Sequence, residues 1–309
     1  MTKYIIRRLL MIIPNLLGVV FIVFFIMTLT PSSPGRMMLG VGATQEQVDL
    51  LNEQLGFNRP FIVRFADFLG GVLQGDFGTS YRTRQPVIDD LMARVPYTVT
   101  IGVMSVIFSS LIGISLGVFS AVKQYTVGDT LSTALAILLA SIPGFWLAML
   151  FMLLFSLRLG WLPSFGVDTW RHYIMPITVI SLTSAAGLLR LTRTTMLETI
   201  RQDYIRTARA KGCTESIIIW KHALKNACLP VVTNLGLRFA FVLSGTIIIE
   251  NIFGIPGVGF YMLQSINFKD IPAVVSATLV ISIFFCLIMV LVDILYAVID
   301  PRIRQRFSA

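Results

Sequence analysis

The sequence predicts an all-helical integral membrane protein with six transmembrane helices, and three observations predict it. Of 309 residues, 55% are hydrophobic and only 13% are charged, with a mean hydropathy of +0.80, which is too little polar surface to cover a water-soluble globule of this length. Apolar stretches of roughly twenty residues, enough to cross about 30 Å of hydrocarbon, recur six times. The basic residues gather in short runs beside these stretches, as they do in cytoplasmic loops. The formal charge of +9 therefore points to topology in a membrane and not to nucleic acid.

The N-terminal stretch MTKYIIRRLLMIIPNLLGVVFIVFFIMTLT sets Lys3, Arg7 and Arg8 before an apolar core. That core is long enough to span and no small-x-small cleavage site follows it, so residues 1–29 are expected to form a retained first helix, with Pro14 tolerated in its first turns. Residues 30–97 mix acids, arginines and turn residues with short amphipathic runs such as FIVRFADFLGGVL. They are expected to form an extracytoplasmic cap or a set of interfacial helices, the alternative being a solvated loop without a partner.

Residues 98–309 hold the other five spans, at roughly 98–121, 131–157, 173–195, 231–250 and 273–298. Ser109, Gly113 and Gly117 make a small-residue stripe that lets helices pack closely. With the N-terminus inside, the cytoplasmic segments hold Lys3, Arg7, Arg8, Lys123, the cluster from Arg190 to Lys225, and Arg302, Arg304 and Arg306. The short outside loops hold only Arg158, Arg171 and Lys269, so both ends are expected in the cytoplasm.

The segment 197–230 is the most charged part of the core. Leu197, Ile200, Tyr204 and Ala208 fall at helical spacing, with Glu198, Arg201, Arg206, Arg209 and Lys211 mostly elsewhere around the wheel, which predicts a short amphipathic helix. Gly212 suits a left-handed position that ends it, Thr214 can cap the next helix, and Glu215 sits favourably at that helix's positive end. A second helix through SIIIWKHALKNA shows Ile217, Trp220 and Leu224 on one side and Lys221 and Lys225 nearer water, and Pro230 is expected to stop or restart the chain. Read from residues alone, the pair could equally rest on lipid headgroups.

NIFGIPGVG, with Gly254, Gly257 and Gly259 around Pro256, reads either as a re-entrant scoop at the outer mouth or as a tight turn. Arg238 in the fifth span and Asp293 in the sixth are intramembrane charges; Arg238 is the pore or subunit-interface candidate, while Asp293, near a helix end, suits a structural role. Cys213, Cys228 and Cys286 lack metal-ligand spacing and His172 and His222 lie far apart, so neither a disulfide nor a metal site is expected.

The series KYIIRRLLMIIPNLLGV, LQGDFGTSYRTRQPV, SIPGFWLAMLFMLLF with RLGWLP after it, LLRLTRTTMLETIRQDY, QDYIRTARAKG with KHALKNACLPVV, ENIFGIPGVG and LVDILYAVIDPRIR covers nearly the whole chain. In this order it resembles the B-type permease of the dipeptide, oligopeptide and nickel branch of binding-protein-dependent ABC importers. The general importer motif is Glu-Ala-Ala, three residues, Gly, then an Ile-x-Leu-Pro close. Here Arg206, Thr207, Ala208 and Gly212 occupy its first part, so the second Ala and the Gly match while the Glu is missing. The Gly-to-Pro separation is also longer than the general form, and both departures are typical of the peptide branch.

The resemblance implies a type I ABC importer permease fold in a bacterial or archaeal cytoplasmic membrane. It implies pairing with a homologous second permease, two ATP-binding subunits beneath that hold ATP and Mg, and an extracytoplasmic binding protein that delivers substrate. Tyr204, Arg206, Thr207, Ala208, Lys211, Gly212, Glu215, Trp220 and Lys221 would form the ATPase-coupling segment, and Phe253, Gly254, Pro256, Gly257 and Gly259 the outer-mouth scoop. The expected cargo is a di- or oligopeptide, the alternative being nickel or a metal chelate. The chain has no G-x-x-x-x-G-K-[ST] loop to cradle phosphate, so it is expected to be a translocation subunit and not an enzyme. A secondary transporter working alone would show paired intramembrane acids or inverted repeats, and neither is evident in the sequence.

Overall fold

The computed structural model describes residues 2–30 and 33–299, without the side chains of a few residues in α1, α12 and α14. Asp293 is among those side chains, and Arg302, Arg304 and Arg306 also lie outside the described residues. The described chain is helical, apart from an isolated antiparallel bridge between Thr79 and Pro86.

Helix α1 (Thr2–Leu29) leads into four short helices, α2 (Pro34–Leu39), α3 (Gln45–Gln54), α4 (Phe61–Leu73) and α5 (Val87–Met92). Of these, α4 packs on α1, and α5 on the helix that follows it and on the long C-terminal helix. Phe24 of α1 meets the rings of Phe61 and Phe65 at 5.7 and 5.6 Å, in a cluster that also takes in Ile271, Val274 and Val275 at the start of α14 (Ile271–Ile299). Ser80 donates to Asp270 at 2.6 Å and fastens the loop after α4 to the same place. A capping box at Thr44 and Gln47 starts α3, and Asn52 Oδ1 accepts the Gly35 N–H at 2.7 Å to hold α2 against it.

Helices α6 (Val95–Val122) and α9 (Arg171–Ile200) make the tightest pair in the bundle. Between helices in hydrocarbon, apolar burial supplies no driving force, so association rests on close fit and on polar pairs. A Cβ on Gly113 would stand 2.6 Å from the Leu188 Cβ, and one on Gly117 the same distance from the Thr192 Cβ. The stripe read from the sequence is thus the line along which α6 meets α9.

The third expected span is not one helix. α7 (Val127–Ser141) and α8 (Gly144–Phe151, prolonged by a π-helical turn Met152–Arg158) meet at 99°. The cause is local: Pro143 has no N–H to donate and forces Ile142 into an extended conformation with ψ 124°. Four helices among the described residues are long and apolar enough to cross a membrane, Arg8–Leu29, Val87–Val122, Arg171–Ile200 and Ile271–Val292, and the bent pair makes a fifth if it is one span. Helix α12 (Leu224–Ile252), at 29 residues, is as long as these and carries Lys225, Asn226, Asn234 and Arg238. It packs between α9 and α14 and is followed by α13 (Val258–Asn267).

Candidate functional site

At one end of the bundle, where α6 finishes and α9 gives way at Arg201, the chain forms α10 (Asp203–Ala210) and α11 (Glu215–Ile217). The turn between them is built by Gly212 at φ 79°, a conformation that L side chains avoid. The Cys213 N–H reaches the Ala208 carbonyl at 3.2 Å and the Gly212 N–H reaches that of Arg209 at 2.9 Å, the paired bonds of a Schellman ending. Across the turn Arg209 grips Glu215 twice, Nε to Oε1 at 2.7 Å and Nη2 to Oε2 at 3.2 Å. This guanidinium holds the Glu215 carboxyl below its ordinary pKa.

One face of this segment is anchored. Ile205, Ala208, Ile218 and Ala223 are buried against Val118 and Ala121 of α6 and Met196 of α9. The other face is open: Tyr204, Ile217 and Trp220 are 43%, 45% and 57% exposed, on a surface that also carries Arg206, Thr207, Lys211 and Lys221. This face thus sets aromatic and aliphatic side chains beside cations on the outside of the bundle.

Four local expectations are corrected. Leu197 and Ile200 belong to the last turns of α9, because the helix breaks only after Ile200. Tyr204 faces outward and Ile205 takes the inward place, since the new helix starts at Asp203 with its own phase. Thr214 occupies the cap position without a side-chain cap bond, and Glu215 serves Arg209 instead of the helix end alone. Pro230 lies inside α12, which continues from α11 through a π-helical stretch, Ile218–Ala223, without a stop.

At the opposite end of α12, Phe253 is buried, Gly254 turns the chain at φ 60°, and Pro256, Gly257 and Gly259 lead into α13. Midway along α12, Arg238 donates from Nε to Asn234 Oδ1 at 2.7 Å and lines a cleft of about 300 Å³ with residues of α8 and α9. Among the described residues no group of three or more His, Cys, Asp or Glu is placed to hold a metal.

The chain matches two family models end to end. One is described as a binding-protein-dependent transport system membrane component, N-terminal, over residues 1–102, and the other as a binding-protein-dependent transport system inner membrane component, over residues 113–305. The chain belongs to this family of ABC importer permeases. The glutathione transport system permease protein GsiC of Salmonella typhimurium is 40% identical over 306 residues, 99% of this chain and all of the relative. GsiC of Pectobacterium atrosepticum is 40% identical and that of Escherichia coli K12 is 38% identical, over the same shares. The match places the permease in the dipeptide/oligopeptide branch as an inner-membrane, multi-pass subunit. Among solved structures, an inward-facing form of the methionine ABC transporter MetNI aligns with a TM-score of 0.59 at 19% identity, covering 68% of this chain and 96% of that one. An amino acid ABC transporter with histidines gives 0.52 at 14% identity, covering 74% and 97%. These share the type I permease fold.

Two polar constellations in the permease escaped the sequence. The buried Glu250 carboxylate accepts from Thr98 Oγ1 at 2.7 Å and from the Phe260 N–H at 2.9 Å, while Thr98 Oγ1 itself accepts the Val258 N–H at 2.8 Å. A Cβ on Gly257 would press into this carboxylate, and one on Gly259 would stand 2.6 Å from the Ile247 Cα and 2.9 Å from Glu250 Oε2, so neither place has room for a side chain. The second is Asp129, which joins α7 to Arg193 of α9 and to Ser120 and the Tyr125 N–H at the end of α6. The available signal for Glu250 was an acid closing an apolar span just before a glycine-rich turn.

Proposed function

We propose that this permease forms the membrane pathway of an ATP-driven peptide importer together with a homologous second permease. ATP and Mg are bound by two partner ATPase subunits, and an extracytoplasmic binding protein supplies the cargo. Both ends and the α10–α11 segment lie in the cytoplasm, on the positive-inside distribution of Lys and Arg, with α6, α7–α8, α9, α12 and α14 completing a six-span core around α1 and residues 30–97 capping the other side. The GsiC relatives are glutathione transport permeases, which supports a peptide-like cargo because glutathione is a short peptide.

The observation that carries this reading is the two-faced α10–α11 segment. Ile205 and Ile218 are wholly buried on α6 and α9, while Trp220, Ile217 and Tyr204 stand out among cations with nothing among the described residues to cover them. A groove in an ATPase subunit would bury that aromatic and aliphatic surface and meet its charges, and closure of the ATPase pair on ATP would push the segment and shift the spans between two states. Tyr204, Arg206, Thr207, Lys211, Glu215, Trp220 and Lys221 form the docking surface, with Ala208 and Gly212 setting its shape; Phe253, Gly254, Pro256, Gly257 and Gly259 form the outer-mouth scoop.

A pull-down of the tagged chain from native membranes tests this. Recovery of a second permease, an ATPase and a peptide-loaded binding protein is expected, and Trp220→Ala should strip the ATPase while the permease pair persists. A Trp220→Ala variant that keeps its full ATPase complement would place docking elsewhere, and a chain recovered alone and transporting without ATP would overturn the importer reading.

A further inference from the structure

Arg238 is the fifteenth of the 29 residues of α12, so it sits near the middle of the bilayer if the helix spans it. A cation at that depth is costly and is kept where it lines a cavity or finds a partner. Its Nε is held by Asn234, and among the described residues no carboxylate pairs with it. The guanidinium plane lies across Gly187 of α9: a Cβ there would overlap Nη2 and stand 2.6 Å from Cζ. The missing side chain is what opens the slot. Arg190, one turn further along α9, adds positive charge to the same side.

The cleft beyond the guanidinium has apolar walls from Val179, Ile180 and Val242, with Thr183 and Ser184 as its hydroxyl-bearing residues. Gly144 and Phe145 also line it, with Ile248 and Ile249 of α12. Gly144 and Phe145 are the first two residues of α8, the second half of the broken span, whose N-cap is Pro143 with no side-chain cap bond. The first N–H groups of a helix have no partner within it and carry its positive dipole end, and half-helices of broken spans commonly turn that end towards anionic cargo. Two independent positive sources thus line one cavity to which no acid among the described residues contributes.

We propose that this cleft is a carboxylate-binding station on the translocation path, in which Arg238 receives the free carboxylate of the cargo in a two-pronged grip and the start of α8 supplies further donors. The planar fork of arginine fits a carboxylate in this way. A volume of about 300 Å³ suits one end of a short peptide. Lipid phosphates lie at the interface, roughly half a bilayer thickness away, so they are not the ligand. The proposal rests on the importer reading in taking a peptide as the carrier of that carboxylate.

The test compares uptake of dialanine and of dialanine amide by the complete transporter in membrane vesicles. Arg238→Gln should lower dialanine uptake by roughly tenfold, Arg238→Lys should restore part of it, and Gly187→Ala, which moves the guanidinium without removing it, should act like Arg238→Gln. Uptake of the amide should change less than twofold in each variant. Equal losses for acid and amide, or full dialanine uptake by Arg238→Gln, overturn the proposal. In the wild-type complex, phenylglyoxal labelling of Arg238 followed by mass spectrometry should be slowed at least threefold by dialanine and not by its amide; equal rates overturn it as well. A wild-type transporter that imports no peptide defeats the peptide reading separately. In that case the station stands if acetate slows the phenylglyoxal labelling of Arg238 at least threefold and acetamide does not, and is lost if the two act alike.

Discussion

Arg193 of α9 holds both carboxylate oxygens of Asp129 of α7, Nε to Oδ1 at 2.7 Å and Nη2 to Oδ2 at 2.8 Å. The same carboxylate accepts the Ser120 hydroxyl of α6 and, at 3.0 Å, the Tyr125 N–H of the following turn, so one acid gathers α6, α7 and α9 just where α9 approaches the α10–α11 segment. The Asp129 side chain is only 6% exposed and that of Arg193 25%. Removing one partner of such a pair strands the other, which costs about 2–5 kcal/mol. Asp129→Ala should therefore lower the unfolding midpoint of the solubilised complex well below that of the double variant Asp129→Leu with Arg193→Met. Strictly additive losses would mean that the two residues act independently.

Gly212 is predicted to be irreplaceable for coupling. An L residue at φ 79° costs about 1–2 kcal/mol, and proline, whose ring fixes φ near −65°, cannot adopt it at all. Gly212→Ala should raise the number of ATP molecules hydrolysed per substrate imported, and Gly212→Pro should abolish import while hydrolysis continues. Unchanged uptake by Gly212→Pro would count against the coupling role of this turn.

The Glu250 clasp leads to a different outcome. Glu250→Gln exchanges an acceptor for a donor opposite the Thr98 hydroxyl or the Phe260 N–H, leaving a buried group unmatched at about 1–3 kcal/mol. Gly257→Ala should disturb the same turn from the other side. Both should slow import and increase labelling of a cysteine placed at Ile255, which is fully buried in the native chain. Unchanged labelling in both variants would show that the loop keeps its shape without the clasp.

The Arg209–Glu215 pair gives the docking turn a pH dependence with a definite sign. The Arg209 guanidinium holds the folded pKa of Glu215 below the ordinary glutamate value, so the folded turn favours the ionised form. Its stabilising contribution is complete above that ordinary value, about 4.3, and is lost as pH falls from there through the folded pKa. Amide exchange at Gly212 to Glu215, corrected for intrinsic rates, should accelerate over that window and not between pH 8 and 6, and Arg209→Gln should remove the effect.

The sequence was informative wherever one residue type can do only one thing in a given place. Gly212 in a left-handed turn, the Gly113 and Gly117 stripe, and the apolar lengths of α1, α6, α9 and α14 were all legible from spacing and composition. The bend after Ser141 was hidden because a proline can kink, break or be absorbed by a helix, and this chain does two of these, breaking at Pro143 and absorbing Pro230 within α12. Glu250 with Thr98 and Asp129 with Arg193 meet only when distant segments pack, so no local spacing announced these pairings, and Glu250 alone left a trace as an acid before a glycine-rich turn.

From Glu215 to Ile252 the backbone is helical without a break, first α11, then the π-helical stretch, then α12. At about 1.5 Å per residue this makes a strut some 55–60 Å long, with Trp220 near its foot and Glu250 at its head. Under the proposed docking, a push at Trp220 would enter the same length of helix that holds Arg238 and Glu250, so no second element would be needed to carry it across the membrane.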